Sequence, residues 1–547
     1  MQPVLNVEDI KKVEHSLANV GVSISELMHR AGVAAAREVL QLGSIHHACV
    51  LCGFGNNAGD GWVAAEYLVS KGVDVTVVTP VGQDELQGDL LRVCAKSAEA
   101  HGVTVYVAPP KDELEQLLCQ QDVIIDAIFG TGFHGRVREP FSLWIECINA
   151  SSAVVVSIDV PSGLSAQTGH TEGACVHARL TVTMLALKPG LIADEGRDVC
   201  GAIVVAPLAE QTEYLVQEAD PVAWRCDIED YDGVYPELSS ACNKFTRGSV
   251  LVVGGSARYP GACVLAARAA ARSGAGYVTL AVPHCIAGLV QSQVCDIPVL
   301  GLPSGDDGMF DAPATQLISS LAKKASCVLV GPGMRVNAHT IAIVASLLEA
   351  AVPLVVDADG LNCIARLTDN ALHRFPELIR RNQPLILTPH QKELARLTGS
   401  DEAFSTLSAT LDAARKIVWT DGGSELVVMA KSSATACVSA DVALLPKPGP
   451  AALATAGSGD VLAGIITSLL SQAPIAFDDL VRVCALACEI HGKAAQLAQQ
   501  RYGMRGIMAH DLIDEIGLAA QSFYQEHECD GMAAGTAVVN DEAKVNN

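Results

Sequence analysis

His47-Ala48-Cys49-Val50-Leu51-Cys52-Gly53-Phe54-Gly55-Asn56-Asn57-Ala58-Gly59-Asp60-Gly61 is the stretch whose reading decides the fold. Its first six residues make an apolar run short enough for a strand buried on both faces. The glycines that follow let the chain turn tightly, and from Trp62 the apolar spacing becomes helical. Strand, Gly-rich turn and helix open a doubly wound α/β sheet, in which the helix start presents unpaired N–H groups to a phosphate. The alternation recurs. Val73 to Val78, Val123 to Ile125 and Val154 to Ile158 read as further buried strands. Residues 6–45 read as helices, with Ser23 and Ser25 ahead of Leu27, Met28, Ala31 and Val33 at helical spacing.

Around residues 210–245 the periodicity gives way to an acidic stretch centred on Asp227-Ile228-Glu229-Asp230-Tyr231-Asp232. A second strand–helix series begins at Ser249 to Val253 and runs through Val328 to Val330, Leu354 to Val356 and Leu385 to Leu387 to the long helix after Gly459. The expected organisation is a front domain over 1–215, a linker over 216–240, a second α/β domain over 241–525 and a disordered polar tail over 526–547. The two halves share an architecture but no motif that would make them a repeat.

Composition narrows the function. With 37 Lys and Arg against 61 Asp and Glu, a net charge of −24 repels nucleic-acid phosphates and anionic lipid. A phosphate on a small molecule is still acceptable, because helix N-termini hold it locally. The 18 cysteines lie scattered in apolar stretches and read as small buried hydrophobes in a reducing compartment. Neither H-E-x-x-H nor a clustered Cys/His spacing suggests a zinc site. Met1-Gln2-Pro3-Val4 lacks the basic and apolar regions of a signal peptide, and no apolar run is long enough to span a membrane. The expectation is a soluble cytoplasmic enzyme, assembling as a homo-oligomer.

In the front half, two later strand ends carry Asp126-Ala127-Ile128-Phe129-Gly130-Thr131-Gly132 and Ser157-Ile158-Asp159-Val160-Pro161-Ser162-Gly163. Strand C-termini of a doubly wound sheet line one crevice, so these loops and the Gly-rich turn are expected to converge on one ligand. Taken singly, each Asp reads more readily as a cap or turn residue than as a ligand-binding one. Together with the Gly53 to Gly61 run, the loops resemble the NAD(P)H-hydrate epimerase family across roughly residues 1–215, with Ala58 where that family usually has glycine. The resemblance implies that Asn56, Asn57, Ala58, Gly59 and Asp60, then Gly130, Thr131, Gly132, Phe133, His134, Gly135 and Arg136, and Asp159 bind hydrated dinucleotide. It implies a potassium ion on Asn57, Asp126 and Ser162. Asp159 is the candidate for acid–base work as the hydroxyl-bearing ring carbon opens and recloses.

In the back half, Ala454-Thr455-Ala456-Gly457-Ser458-Gly459-Asp460 opens an apolar helix. Small residues let an oxyanion approach the helix N–H groups, and a carboxylate at Asp460 can deprotonate a hydroxyl attacking a phosphoryl group. The arrangement resembles ribokinase-like small-molecule kinases. With Gly254-Gly255-Ser256, Tyr259-Pro260-Gly261, Gly331-Pro332-Gly333, Asp357-Ala358-Asp359-Gly360 and Thr388-Pro389-His390-Gln391-Lys392-Glu393, it resembles the ADP- or ATP-dependent NAD(P)H-hydrate dehydratase family over about residues 240–520. The order of the halves resembles the bifunctional repair enzymes. That likeness implies Gly261, Gly333, the run His390, Gln391, Lys392, Glu393, Leu394, Ala395 and Arg396, and Asp460 at the hydrated dinucleotide. It implies Lys431, Ser432, Ser433, Ala434 and Thr435 with Thr455, Ala456, Gly457, Ser458 and Gly459 at ADP or ATP, with Mg²⁺. Two departures stand out: Ser432 replaces a family glycine, and Gly449-Pro450-Ala451-Ala452-Leu453 lacks the family's Asn and one backbone N–H.

His390 and Glu393 share a helix face and read equally as a capping pair; His491 and His510 read as packed. The rival reading is a ribokinase-like kinase of a hydroxymethyl heterocycle, with a non-catalytic dinucleotide-binding module in front. Thr388-Pro389-His390-x-x-Glu393 and the attached front domain speak against it.

Overall fold

A computed structural model describes residues 1–547 apart from 236, 237, 239, 371–375, 422–424, 473–478, 522 and 524–547; the expected tail, 526–547, lies outside the described residues. The chain divides into two compact units, one of Gln2–Ala223 with Thr406–Ser408, the other holding the remainder.

In the first unit seven parallel strands run in the order Thr104–Val107, Asp74–Thr79, His47–Cys52, Val123–Ala127, Val154–Ile158, Leu180–Met184, Ala202–Ala206. The order reverses between His47–Cys52 and Val123–Ala127, which opens a crevice beyond their C-terminal ends. Val50 and Ile125 bury their side chains in one core layer, Leu51 and Ile124 in the other, as strand alternation requires. Cys49 and Cys52 have C-x-x-C spacing, yet that same alternation sends them into opposite layers.

The helix expected from Trp62 starts six residues earlier, spanning Asn56–Ser70. Its glycines act in packing more than in turning: a Cβ on Gly61 would stand 2.5 Å from Ala127 Cβ and 3.1 Å from Cys52 Sγ. The helix thus lies directly on the sheet.

In the second unit the strand order is Ala223–Arg225, Ala443–Leu445, Ala436–Val438, Leu426–Ala430, Leu385–Leu387, Leu354–Val356, Cys327–Val330, Ser249–Val253, Tyr277–Pro283, Val299–Leu302. All neighbours are parallel except the two pairings of Ala436–Val438. The stretch read as a linker is built into this sheet. Trp224 and Arg225 pair with Leu444 and Leu445, and Cys226 and Tyr231 are buried, because its aromatic and apolar residues have a core to fill.

Candidate functional sites

In the first unit, Asn56, Asn57 and Asp60 on one helix, Gly130, Thr131, Gly132, Phe133 and His134 after a strand, and Asp159 after the next strand line one cavity of about 700 Å³. The three loops therefore meet as expected. Four carried-over residues lie off its wall. Ala58 is fully buried inside the first helical turn, and Gly59 lies against Met28. Gly135 is not at the wall, and the Arg136 side chain lies against Gly173. Ala58 has no positive φ, so a methyl group fits where the family has glycine.

Asp126 is wholly buried beneath this wall. It accepts from Ser157 Oγ at 2.9 Å, Ser162 N at 2.8 Å, Ser162 Oγ at 2.6 Å and Ile128 N at 3.2 Å. Burial raises its pKa, and these donors oppose the rise. Ser162 Oγ also accepts from Phe129 N at 2.8 Å, and Asn57 Nδ2 donates to Phe129 O at 2.9 Å. Asn57, Asp126 and Ser162 thus gather around one peptide segment, and Asn57 Oδ1 stays buried without a partner.

Asp159 occupies the left-handed region at φ 65°, a conformation that costs an L-residue and aims its carboxylate across the crevice. Its Oδ1 accepts from Lys188 Nζ at 2.6 Å and its Oδ2 from Thr131 N at 3.4 Å. Sequence reasoning missed Lys188, which is fully buried and lines the same cavity. The available signal was one lysine closing the apolar run Met184-Leu185-Ala186-Leu187. Lys11, Glu14 and His15, one face of helix Val7–Asn19, were missed too.

In the second unit the helix Ser458–Gln472 begins at the Gly-Ser-Gly-Asp turn. Gly457 has φ 90°, and a Cβ there would meet Leu265 Cδ1 at 2.6 Å, so only glycine serves. Burial, then the charge of Asp357, pushes Asp460 up to about 8, while Lys431 pulls it down. Asp357, 2% exposed, accepts from Lys431 Nζ at 2.7 Å and Thr388 Oγ1 at 2.6 Å. Burial works against the Lys431 charge, but Asp357 and then Glu393 outweigh it and raise its pKa. Asp357 belongs to a motif that carries no role for it in the sequence; in the fold it anchors the lysine. The residue after it, Ala358, is left-handed at φ 49°. Ser432 forms a local turn, its Oγ donating to Ala434 O at 2.8 Å, with no positive φ to penalise a side chain.

His390 and Glu393 do form the capping pair. His390 Nδ1 accepts from Lys392 N and Glu393 N, and Glu393 Oε2 accepts from His390 N at 2.9 Å. Burial pushes Glu393 up to about 7, with Lys431 opposing. Leu394 and Ala395 are buried on the core side of this helix, because helical period turns them inward. Arg396 reaches Asn362, which donates to Asp359 Oδ1 at 3.2 Å. Gly333 lies against Tyr259, the residue that precedes the helix carrying Gly261. His491 is buried, which pushes it down to about 4, as a packed histidine should be.

Each unit is an α/β fold that gathers carboxylates around an aspartate-paired lysine beyond its strand ends, the arrangement of a two-site enzyme for small molecules. NAD(P)H-hydrate dehydratase is the family matched by residues 250–518, and the YjeF-related protein N-terminus the one matched by residues 24–190. The bifunctional NAD(P)H-hydrate repair enzyme Nnr of Moorella thermoacetica is 32% identical over 529 residues, covering 94% of this chain and 93% of its own length. The Escherichia coli K12 protein of the same name is 31% identical over 514 residues, covering 93% and 92%. The Bacillus subtilis ADP/ATP-dependent NAD(P)H-hydrate dehydratase, co-crystallized with ATP/Mg²⁺, is 23% identical and covers 55% of this chain and 99% of its own, with a TM-score of 0.44. The chain belongs to the bifunctional NAD(P)H-hydrate repair enzyme family.

Proposed function

We propose that the chain restores hydrated NADH and NADPH, interconverting R and S epimers in the first unit and dehydrating the S form in the second at the expense of ADP or ATP. The observation that carries this reading is the front cavity: loops singled out for one family's substrate line a single space of about 700 Å³, within the range of small-molecule sites. Asp159 moves the proton there. In the second unit Asp460 deprotonates the ring hydroxyl, and Lys431 neutralises phosphoryl charge with Asp357 holding it in place. Phosphorylation of the hydroxyl creates a leaving group whose elimination restores the dihydropyridine.

Asn57 Oδ1, buried and without a partner, is an oxygen suited to K⁺, beside the Asp126 carboxylate and Ser162. For the nucleotide, the self-bonded Lys431 to Thr435 turn and the start of helix Ser458–Gln472 supply the contacts, Pro450 offering none through its nitrogen. Mg²⁺ arriving on phosphates needs only one or two carboxylates, of which Asp357 offers one, and it would supply charge neutralisation when bound. Cytoplasmic residence and homo-oligomeric assembly belong to the same proposal.

The test is recovery of 340 nm absorbance from a mixture of R and S NADH hydrates with Mg²⁺ and ADP or ATP. Full recovery supports both activities. Recovery that stops at the S fraction removes the epimerase. None, with Asp460→Asn equally silent, returns the second unit to the hydroxymethyl-heterocycle kinase reading.

A further inference from the structure

The front cavity contains more acid than its buried cation can pair. Glu14, Asp60 and Asp159 all line it. The Lys188 ammonium spends its three protons on Asp159 Oδ1 at 2.6 Å, Thr183 Oγ1 at 2.7 Å and Met184 O at 2.8 Å. None is left for Asp60. Among the described residues the Asp60 carboxyl has neither hydrogen bond nor ion pair, although it projects from helix Asn56–Ser70 into the same space. Asp159, by contrast, is oriented by Lys188, Thr183, Met184 N and Thr131 N.

We propose that Asp60 is the proton donor of the epimerisation and Asp159, clamped by Lys188, the acceptor. This rests on the front unit acting as the epimerase. Asp60 gives its proton to the ring hydroxyl as the carbon–oxygen bond breaks, and water departs. The lone pair of the adjacent ring nitrogen fills the vacancy, forming an iminium cation. Water then adds to the opposite face, the Asp159 carboxylate takes its proton, and the electron pair returns to nitrogen. One proton leaves Asp60 and one reaches Asp159, so hydrate becomes hydrate, and exchange of both carboxyls with solvent, one losing and the other regaining a proton, restores the enzyme; in the reverse direction the two exchange roles.

Electrostatics supports the assignment. Burial, then the charges of Asp159 and Glu14, raises Asp60 well above the ordinary carboxyl range, the direction that favours the proton-bearing form a donor needs. The other charged or titratable groups around it are Lys11, His15, His134, Lys188, Cys52 and Cys94. Glu14 is crowded too and has a raised pKa, but water reaches it, and it sits on the outer helix.

The full chain, without nucleotide, is given a single NADH-hydrate epimer and its conversion followed by NMR. Asp60→Asn, equal in size but unable to give up a proton, is expected to lower kcat by about 100-fold with KM little changed. The wild-type fall in rate at high pH should disappear with it, and Asp60→Glu should restore part of the rate. A melting temperature equal to or above wild type shows that the fold survives, since a crowded carboxyl has been removed. Asp60→Asn with unchanged kcat and pH profile overturns the proposal, as does loss of rate in Glu14→Gln alone. Wild-type protein no faster than the uncatalysed conversion would instead remove the epimerase reading itself.

Discussion

Asp460→Asn should lower dehydratase activity and raise stability, both with a defined pH course. Asp460 is pushed up from 3.8 to about 8, chiefly by burial and next by Asp357. As a base it acts only when ionised, so about one tenth of molecules are competent at pH 7 and about nine tenths at pH 9. Initial rates of 340 nm recovery from pure S NADH hydrate should climb nearly tenfold between roughly pH 6 and 7 and level off above about 8. The Asn variant should lose about 10²-fold or more at every pH. Stability follows from linkage. Below pH 4 the carboxyl is protonated whether the chain is folded or not. Between pH 4 and about 8 the unfolded chain releases a proton that the fold retains, so stability falls as pH rises, and above 8 the loss is complete. A shift of this size corresponds to ~6 kcal/mol, and water access to the residue reduces the expected gain of the variant to ~2–3 kcal/mol at pH 9. At ~2 °C per kcal/mol the melting temperature should rise by ~5 °C at pH 9 and hardly at pH 4. A flat rate profile from pH 6 to 9, or equal melting at both pH values, would refute the buried-base argument.

Other perturbations test the supporting structure. Lys188→Met leaves Asp159 without its 2.6 Å cation partner inside the fold and should destabilise the first unit by ~3–5 kcal/mol, measured by urea titration of the full chain. Gly464→Val places a Cβ 2.3 Å from Ala266 O on the facing helix; overpacking should cost ~1–3 kcal/mol or more in the second unit, visible in its thermal transition. For the cation site, KCl at constant ionic strength should raise the melting temperature over choline chloride, and Asn57→Leu should abolish the increment.

Much of the architecture is legible because buried parallel strands announce themselves. His47–Cys52, Val154–Ile158, Ser249–Val253, Leu354–Val356 and Leu385–Leu387 fall where continuous apolar runs place them. Thr104–Val107, exposed at both ends on a sheet edge, carries no such run. The start of Asn56–Ser70 was hidden because glycine has two uses, turning and close packing, that look alike in sequence. The site residues on long-range motifs were legible for the converse reason: strand C-termini converge whatever the loops contain. Lys188 and helix Val7–Asn19 were not, since a lone lysine and an ordinary amphipathic helix show no pattern until folding brings them to the cavity.

The two sites apply one electrostatic arrangement on different sheets. In each, an aspartate beyond a parallel strand holds a lysine, Asp159 with Lys188 at 2.6 Å and Asp357 with Lys431 at 2.7 Å. A left-handed residue lies at that strand end, Asp159 itself or Ala358 beside Asp357. In each, a second carboxylate, Asp60 or Asp460, stands near the start of a helix entered through glycines, and its pKa is raised by burial and by neighbouring carboxylates. The lysine is bonded directly to its first partner, and burial shifts the second carboxyl toward its protonated form. In the first unit that proton is the useful species, to be given to a hydroxyl; in the second its loss near pH 8 creates the base. The same substitution, Asp to Asn, should therefore remove a high-pH decline from one activity and a low-pH decline from the other. An arrangement that served only to hold the folds together would show neither.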